Sequence, residues 1–367
     1  MTSTRRLAVG TCVVMAGLVV LSLGAGALTA TFTEITPPST PFDLNDAGQL
    51  VGPRFVQDVD GAYRHLPNPP GFNNSQAYGV NSHGDVVGFT EVMAAFYSDT
   101  AVLWPAGGAP VTLGMPPGDV ESHAVDINDA GVIVGISKAE QPGPGWLSSW
   151  VRDPEDGIFV DLGTLPGAGD GQIEVTAINN AGVATGNVHM GISSIWLGFT
   201  WTEAGGMVAM PLPTDETAFW PLDINNVGQI LGRGSSGTTY VWDPVGGFTE
   251  LTMDGHDSAV GAALNDSGLV VGTVRDEYPD GIPGQEGEED PITSITSPAA
   301  WDLSTGDATV FPYADHWSQA FVAVNNNGVA LSTGHRTFLV EIGPDTVPSV
   351  PPPPAAVPAA TDPTYTG

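Results

Sequence analysis

The densest set of oxygen ligands in this 367-residue chain lies in RDEYPDGIPGQEGEEDPITSIT (275–296), which carries Asp276, Glu277, Asp280, Glu286, Glu288, Glu289 and Asp290. Carboxylates on a flexible loop are the donors that Ca2+ takes, so Asp276, Glu277, Asp280, Glu288 and Asp290 are candidate calcium ligands. Calcium is the one cofactor the sequence suggests. The same composition, polar with Gly and Pro, also describes a solvated loop. Histidines at His65, His83, His123, His189, His256, His316 and His335 are dispersed and lack the His-x-x-x-His spacing of a metal site. Ser235 and Ser236 stand between glycines in GRGSSG (232–237) but outside a nucleophile-elbow pattern. Sialidase-type Asp boxes are missing. Paired carboxylates for glycoside hydrolysis are defined by a distance that a sequence does not display. No catalytic residue is assigned, and the balance is against an enzyme.

Aromatic side chains form the second chemical set. Trp146, Trp196, Trp220 and Trp317, with Tyr97, Tyr278, Tyr313, His123, His256 and His316, fall in segments that vary between internal repeats. Such side chains can stack on a sugar ring or hold a peptide. They can equally cap the ends of structural units.

Composition limits the partners. Forty-one acids face nine bases, for a net charge of -32, more negative still without Arg5 and Arg6. That surface repels nucleic acid and anionic membrane. MTSTRRLAVGTCVVMAGLVVLSLGAGALTA has two arginines, an apolar run and a small-x-small site at Ala25–Ala27, the pattern of a signal peptide over residues 1–27. A secreted or cell-surface protein without a membrane span in its mature chain follows as the expectation. Cys12, the only cysteine, lies in that segment, so the mature chain has no disulfide and is expected to be a monomer held by its own core. Residues 343–367, rich in Pro and Ala, read as a disordered tail or stiff spacer.

The elements that must position these groups are repeats. DLNDAGQLVG (43–52), GVNSHGDVVG (79–88), DINDAGVIVG (126–135), AINNAGVATG (177–186), DINNVGQILG (223–232), ALNDSGLVVG (263–272) and AVNNNGVALS (323–332) restate one pattern. Spacings of 36 to 60 residues between their asparagines suit solenoids or propellers. Asn-x-x-Gly between two short apolar runs is a hairpin turn. A third run carries Trp104, Trp150, Trp201, Trp242 or Trp301, and a fourth follows a Gly-rich turn. Four short strands per unit describe a propeller blade, with the repeated Trp as filler between blades. The seventh unit lacks its fourth strand, and TFTEI (31–35) resembles the fourth-strand word FTEL (248–251). The sequence therefore predicts an all-β, seven-bladed propeller over 31–342, closed by its N-terminal strand.

These words, with FVDLGTLPG (159–167) and the Ser-x-Ala elements at Ser75, Ser122 and Ser318, resemble the HAF family of extracellular repeats. The resemblance implies export and a repeat architecture. It brings no catalytic residues. One copy has the full DLGTL string, and the first lacks the Trp.

In such a propeller the second-to-third-strand loops and the blade-to-blade connections share one face. Binding residues concentrate on variable loops over a rigid scaffold. The expected function is a secreted binding module that recognises a glycan or an extracellular protein through that face. An exported polysaccharide hydrolase or lyase, and a structural cell-surface repeat, are the alternatives.

Overall fold

The computed structural model describes residues 12–15, 18–21, 28–92, 99–140, 147–154, 156–168, 171–190, 196–277, 294–311, 319–334 and 336–344. Among them no helix forms, and the strands make seven sheets arranged as a β-propeller. Strands A to D run outward from the axis in each blade. Blade 1 holds Asp43–Leu44, Leu50–Gly52, Phe55–Gln57 and Tyr63–His65; blade 2 holds Asn74–Val80, Val86–Glu91, Thr100–Trp104 and Val111–Gly114. Blade 3 holds Asp119–Ile127, Ile133–Ala139, Leu147–Arg152 and Phe159–Asp161; blade 4 holds Gln172–Ile178, Ala184–His189, Trp196–Thr202 and Gly206–Ala209. Blade 5 holds Phe219–Ile224, Ile230–Gly234, Thr239–Asp243 and Gly247–Glu250; blade 6 holds Ser258–Leu264, Leu269–Glu277, Ser294–Asp302 and Asp307–Val310.

Blade 7 takes Gln319–Val324, Val329–Gly334 and Thr337–Pro344 from the end of the repeat region, and its strand D, Leu28–Ile35, from the start. The closing pair is antiparallel and runs from Leu28 opposite Pro344 to Ile35 opposite Thr337. Ring closure thus removes the open edges that an unclosed array would present. Cys12–Met15 and Leu18–Leu21, inside the segment read as a signal peptide, continue this sheet outward. The tail beyond Pro344 lies outside the described residues.

The repeated words now have physical reasons. The glycine of each Asn-x-x-Gly turn has positive φ, from +74° at Gly182 to +87° at Gly228, a conformation a Cβ would strain. The glycine that ends most of the repeat words has a different cause. A Cβ on Gly88, Gly186 or Gly272 would collide with the facing strand A carbonyl of Gln76, Glu174 or Val260. Strand A bends there. A bulge interrupts its register in blades 2 to 7, as between Ala124 and Asp126 or Val175 and Ala177.

Apolar residues gather in seven clusters, one at each blade interface. Trp104, Trp150, Trp201 and Trp301 are buried in them, while Trp242 is half-buried. The repeated tryptophans are therefore packing residues. Trp104 and Trp301 also donate Nε1–H to Pro67 O and Thr252 O, each at 2.8 Å, tying strand C to the connection that enters its blade.

Candidate functional site

The innermost strands line an axial channel, and its two ends differ. At the A–B end the seven turn asparagines form a closed circuit. Nδ2 of each donates to the carbonyl of the next: Asn45 to Asn81, Asn81 to Asn128, Asn128 to Asn179, Asn179 to Asn225, Asn225 to Asn265, Asn265 to Asn325, and Asn325 back to Asn45, over 2.8–3.3 Å. Oδ1 of the same residues accepts from their own turns, as from Val132 N to Asn128 at 2.9 Å. A second chain of six bonds, from Ser82 round to Asp46, lies outside the first. Backbone amides of Ser82, Asp129, Asn180, Asn226, Asp266 and Asn326 each donate to the next blade's Oδ1, at 2.7–2.8 Å. The turn asparagines of this end are thus bonded to one another around a mouth of about 180 Å3.

Midway along the axis stand Asp43, Asp126 and Asp223, in a cavity of about 290 Å3 that also takes in Tyr78. They occupy alternate blades, two residues before the turn asparagine. Each carboxylate accepts from its own blade and from the following one. Asp43 takes Leu44 N and Val80 N, Asp126 takes Ile127 N and Ile178 N, and Asp223 takes Ile224 N and Leu264 N, at 2.8–3.2 Å. Blades 1–2, 3–4 and 5–6 are so joined in pairs, with Gly79, Ala177 and Ala263 at the even positions. Blade 7, with Ala323, stands outside the pairing. The three acids meet only the narrow channel, so loss of bulk water dominates them. Burial pushes Asp43 up to about 6 and Asp126 up to about 7 against the opposing pull of their amide donors, with mutual repulsion adding to the rise. Asp223 is raised for the same first reason.

The opposite, long-loop end is irregular. His123 lies on strand A of blade 3; its ring stacks on Phe89 (4.2 Å between centroids), and Nε2 meets Asp99 Oδ2 at 2.8 Å. Tyr78 lies 6.4 Å from the same imidazole, and its phenol is raised by burial and by the Asp99 charge. Trp196 begins strand C of blade 4 and packs on His189 at 4.8 Å. Trp220, half-buried, is the second residue of strand A in blade 5, which packs against that strand C. His123 and Trp220 stand at one level of the inner wall, five residues before their turn asparagines.

A larger cleft, about 520 Å3, opens at this end between blades 5 and 6 and includes Ser236, Glu250, His256 and Asp257. His256 Nδ1 faces Asp276 Oδ2 at 3.0 Å. Next to the cleft, Glu216 clips the B–C loop of blade 5. It accepts from the Ser235 hydroxyl at 2.6 Å, the Ser236 hydroxyl and amide, and the Tyr240 phenol at 3.1 Å. Desolvation works to raise Glu216, but these donors outweigh it and bring the carboxyl to about 2.

Sequence placement and structure differ in several particulars. His123, Trp196 and Trp220 are at the expected end but on strands rather than loops. Asp276 and Glu277 belong to strand B of blade 6, longer than the repeat word implied. Asp276 pairs with His256, and Glu277 with Arg275 at 3.5 Å. Among the described residues no three His, Cys, Asp or Glu side chains are grouped to hold a metal ion. Trp146, Trp317, Tyr97, Tyr278, Tyr313, His316, Asp280, Glu288 and Asp290 lie outside the described residues. Sequence reasoning missed Asp99, Glu216 and the three axial carboxylates. The last had a visible signal: three of the seven repeat words begin with Asp.

No protein-family model matches the chain, and no curated protein matches it. Its fold is similar to solved propellers. A streptogramin B lyase superposes with a TM-score of 0.52 at 11% identity, over 86% of this chain and 98% of that one. A virginiamycin B lyase from Staphylococcus aureus gives 0.51 at 12%, over 86% and 99%. The propeller domain of the Trilobed protease from Pyrococcus furiosus, described as having an open velcro topology, gives 0.51 at 11%, over 88% and 92%. At such identities the likeness establishes the fold alone.

Proposed function

We propose that this is an exported β-propeller that binds a glycan or an extracellular protein through its long-loop face. The observation behind the reading is the asymmetry of the two ends. One end uses its asparagines and aspartates to join the blades. The other presents a cleft of about 520 Å3 and half-buried Trp196, Trp220 and His123. Export rests on the N-terminal pattern and on the resemblance to HAF repeats. Screening the full chain against glycan arrays and extracellular protein fractions tests the reading. Trp196→Ala and Trp220→Ala should weaken a captured ligand about tenfold, a loss on the order of 1.4 kcal/mol. Val227→Ala, on an exposed turn at the other end, should leave it unchanged; the reverse order of effects would sink the proposal.

A second reading, an exported polysaccharide hydrolase or lyase, is favoured by one observation. Two imidazoles at the long-loop end are each held by a carboxylate, His123 by Asp99 and His256 by Asp276. That pairing orients a ring for proton transfer. Lyases also share the fold. Reducing-sugar release and the appearance of unsaturated products measure this activity, and turnover that His123→Ala or His256→Ala abolishes would establish it.

A further inference from the structure

We infer that the cleft between blades 5 and 6 is a pocket for a cationic side chain, lysine or arginine, presented by a protein partner. The inference rests on the binding reading above and chooses protein over glycan for this cleft. Hydrogen-bond polarity is the first argument. His256 Nδ1 faces the Asp276 carboxylate at 3.0 Å, which sets a further negative group directly behind the lining. The Ser236 hydroxyl donates to Glu216, and its oxygen accepts from Thr238 N at 3.2 Å, so the rim of the cleft is pinned to a carboxylate. Glu250 and Asp257, both exposed, add carboxylate oxygens to the lining. Asp257 is held in place because its Oδ2 accepts from Glu277 N at 2.7 Å. The carboxylates of the lining, Glu250 and Asp257, are acceptors only, and an ammonium or guanidinium is all donor.

Charge and shape agree with this. No Lys or Arg is among the described lining residues, and no Trp, Tyr or Phe. Anionic ligands are repelled, and a sugar ring finds no aromatic platform to stack on. Met253 and Val260 give the aliphatic stem of a long basic side chain an apolar wall. Glu216, behind Ser236, stays ionised through the physiological range and adds to the negative field.

The test uses the full chain, with fluorescent pentalysine and pentaarginine as probes and cellopentaose and pentaglutamate as comparisons, at about 0.15 M salt, where exposed charges more than ~8 Å apart are largely screened. Glu250→Gln with Asp257→Asn should weaken pentalysine roughly tenfold. The charge-matched pair Asp60→Asn with Glu203→Gln, on C–D hairpins at the other end, should change it less than about twofold. Both doubles are checked by thermal melting. Independently of any variant, pentalysine should shift the His256 ring resonances of the wild type. Equal weakening by the two doubles, cellopentaose competing for the same cleft, or no pentalysine binding would each overturn the inference. A ligand that depends on Trp196 and Trp220 would then still stand for the face as a whole, so the two failures are distinguishable.

Discussion

The two ends of this propeller are made from the same seven units and solve opposite problems. At the turn end each asparagine performs three tasks. It accepts from its own hairpin, presents a carbonyl to the preceding blade and donates to the following one. Because each blade needs the same two neighbours, the same residue recurs seven times. Among the described residues of the long-loop end no such circuit exists. His123–Asp99, Glu216 with its two serines, and His256–Asp276 are each built once, at particular loops. Repetition marks what holds the ring together, and departure from it marks where a ligand could be recognised. Disruption should therefore cost stability at the first end and binding at the second.

The largest expected losses lie in the ring itself. Phe32 on the closing strand is buried and meets Phe311 and Phe338 edge-on at 6.3 and 6.0 Å. Phe32→Ala should lower unfolding free energy by about 3–5 kcal/mol in urea denaturation, as large core truncations do. Asn128→Ala should cost about 2–4 kcal/mol, because it strands the buried Asn179 carbonyl and the Val132 amide together. A loss below ~1 kcal/mol for Asn128→Ala would mean that the circuit is a consequence of closure and not part of its cause.

The axial acids give the comparison a pH dependence. Asp126 is raised from the ordinary 3.8 to about 7 in the folded protein and Asp43 to about 6, with burial the first cause of each. Between pH 4 and 7 the folded chain therefore holds protons that the unfolded chain has released. Stability present in full below pH 4 is lost as pH rises through 6 and 7, by several kcal/mol. Denaturation midpoints across that window should fall in the wild type. In Asp126→Asn the fall should be shallower, whatever the substitution does to the midpoint at a single pH. A flat wild-type profile would show that channel water solvates these carboxylates well enough to keep them ordinary.

Much of this architecture is legible in the words of the sequence. Asn-x-x-Gly gives the hairpin, the Trp-bearing run gives the inter-blade filler, and the missing fourth strand of the last repeat gives the closure. Each is a local signal that tertiary packing reinforces. The circuit is not legible, because Asn128 and Asn179 are 51 residues apart and meet only when the ring closes. Nor is the pairing of blades by Asp43, Asp126 and Asp223, whose carboxylates reach amides 37 to 52 residues away. The sequence reads Asp276 and Glu277 as loop residues, but strand B of blade 6 outruns its repeat word and takes them in. Loop length alone puts His123 at the long-loop end. Its partners Asp99 and Phe89, one blade away, carried no motif.

The smallest expected effect on stability belongs to the long-loop end, at Glu216. Its carboxylate gathers donors from Ser235, Ser236 and Tyr240 and fixes one loop of one blade. No blade interface depends on it. Glu216→Gln keeps an acceptor but loses the charge that strengthens these bonds. Global stability should change by no more than about 0.5–1 kcal/mol, as for other exposed charge-assisted contacts. Amide exchange at Ser236 and Thr238 should quicken markedly while Asn128 and Val132 stay protected. If exchange instead rose throughout blade 5, the clip would be part of the ring's own support, and the division between a binding end and a holding end would have to be redrawn around it.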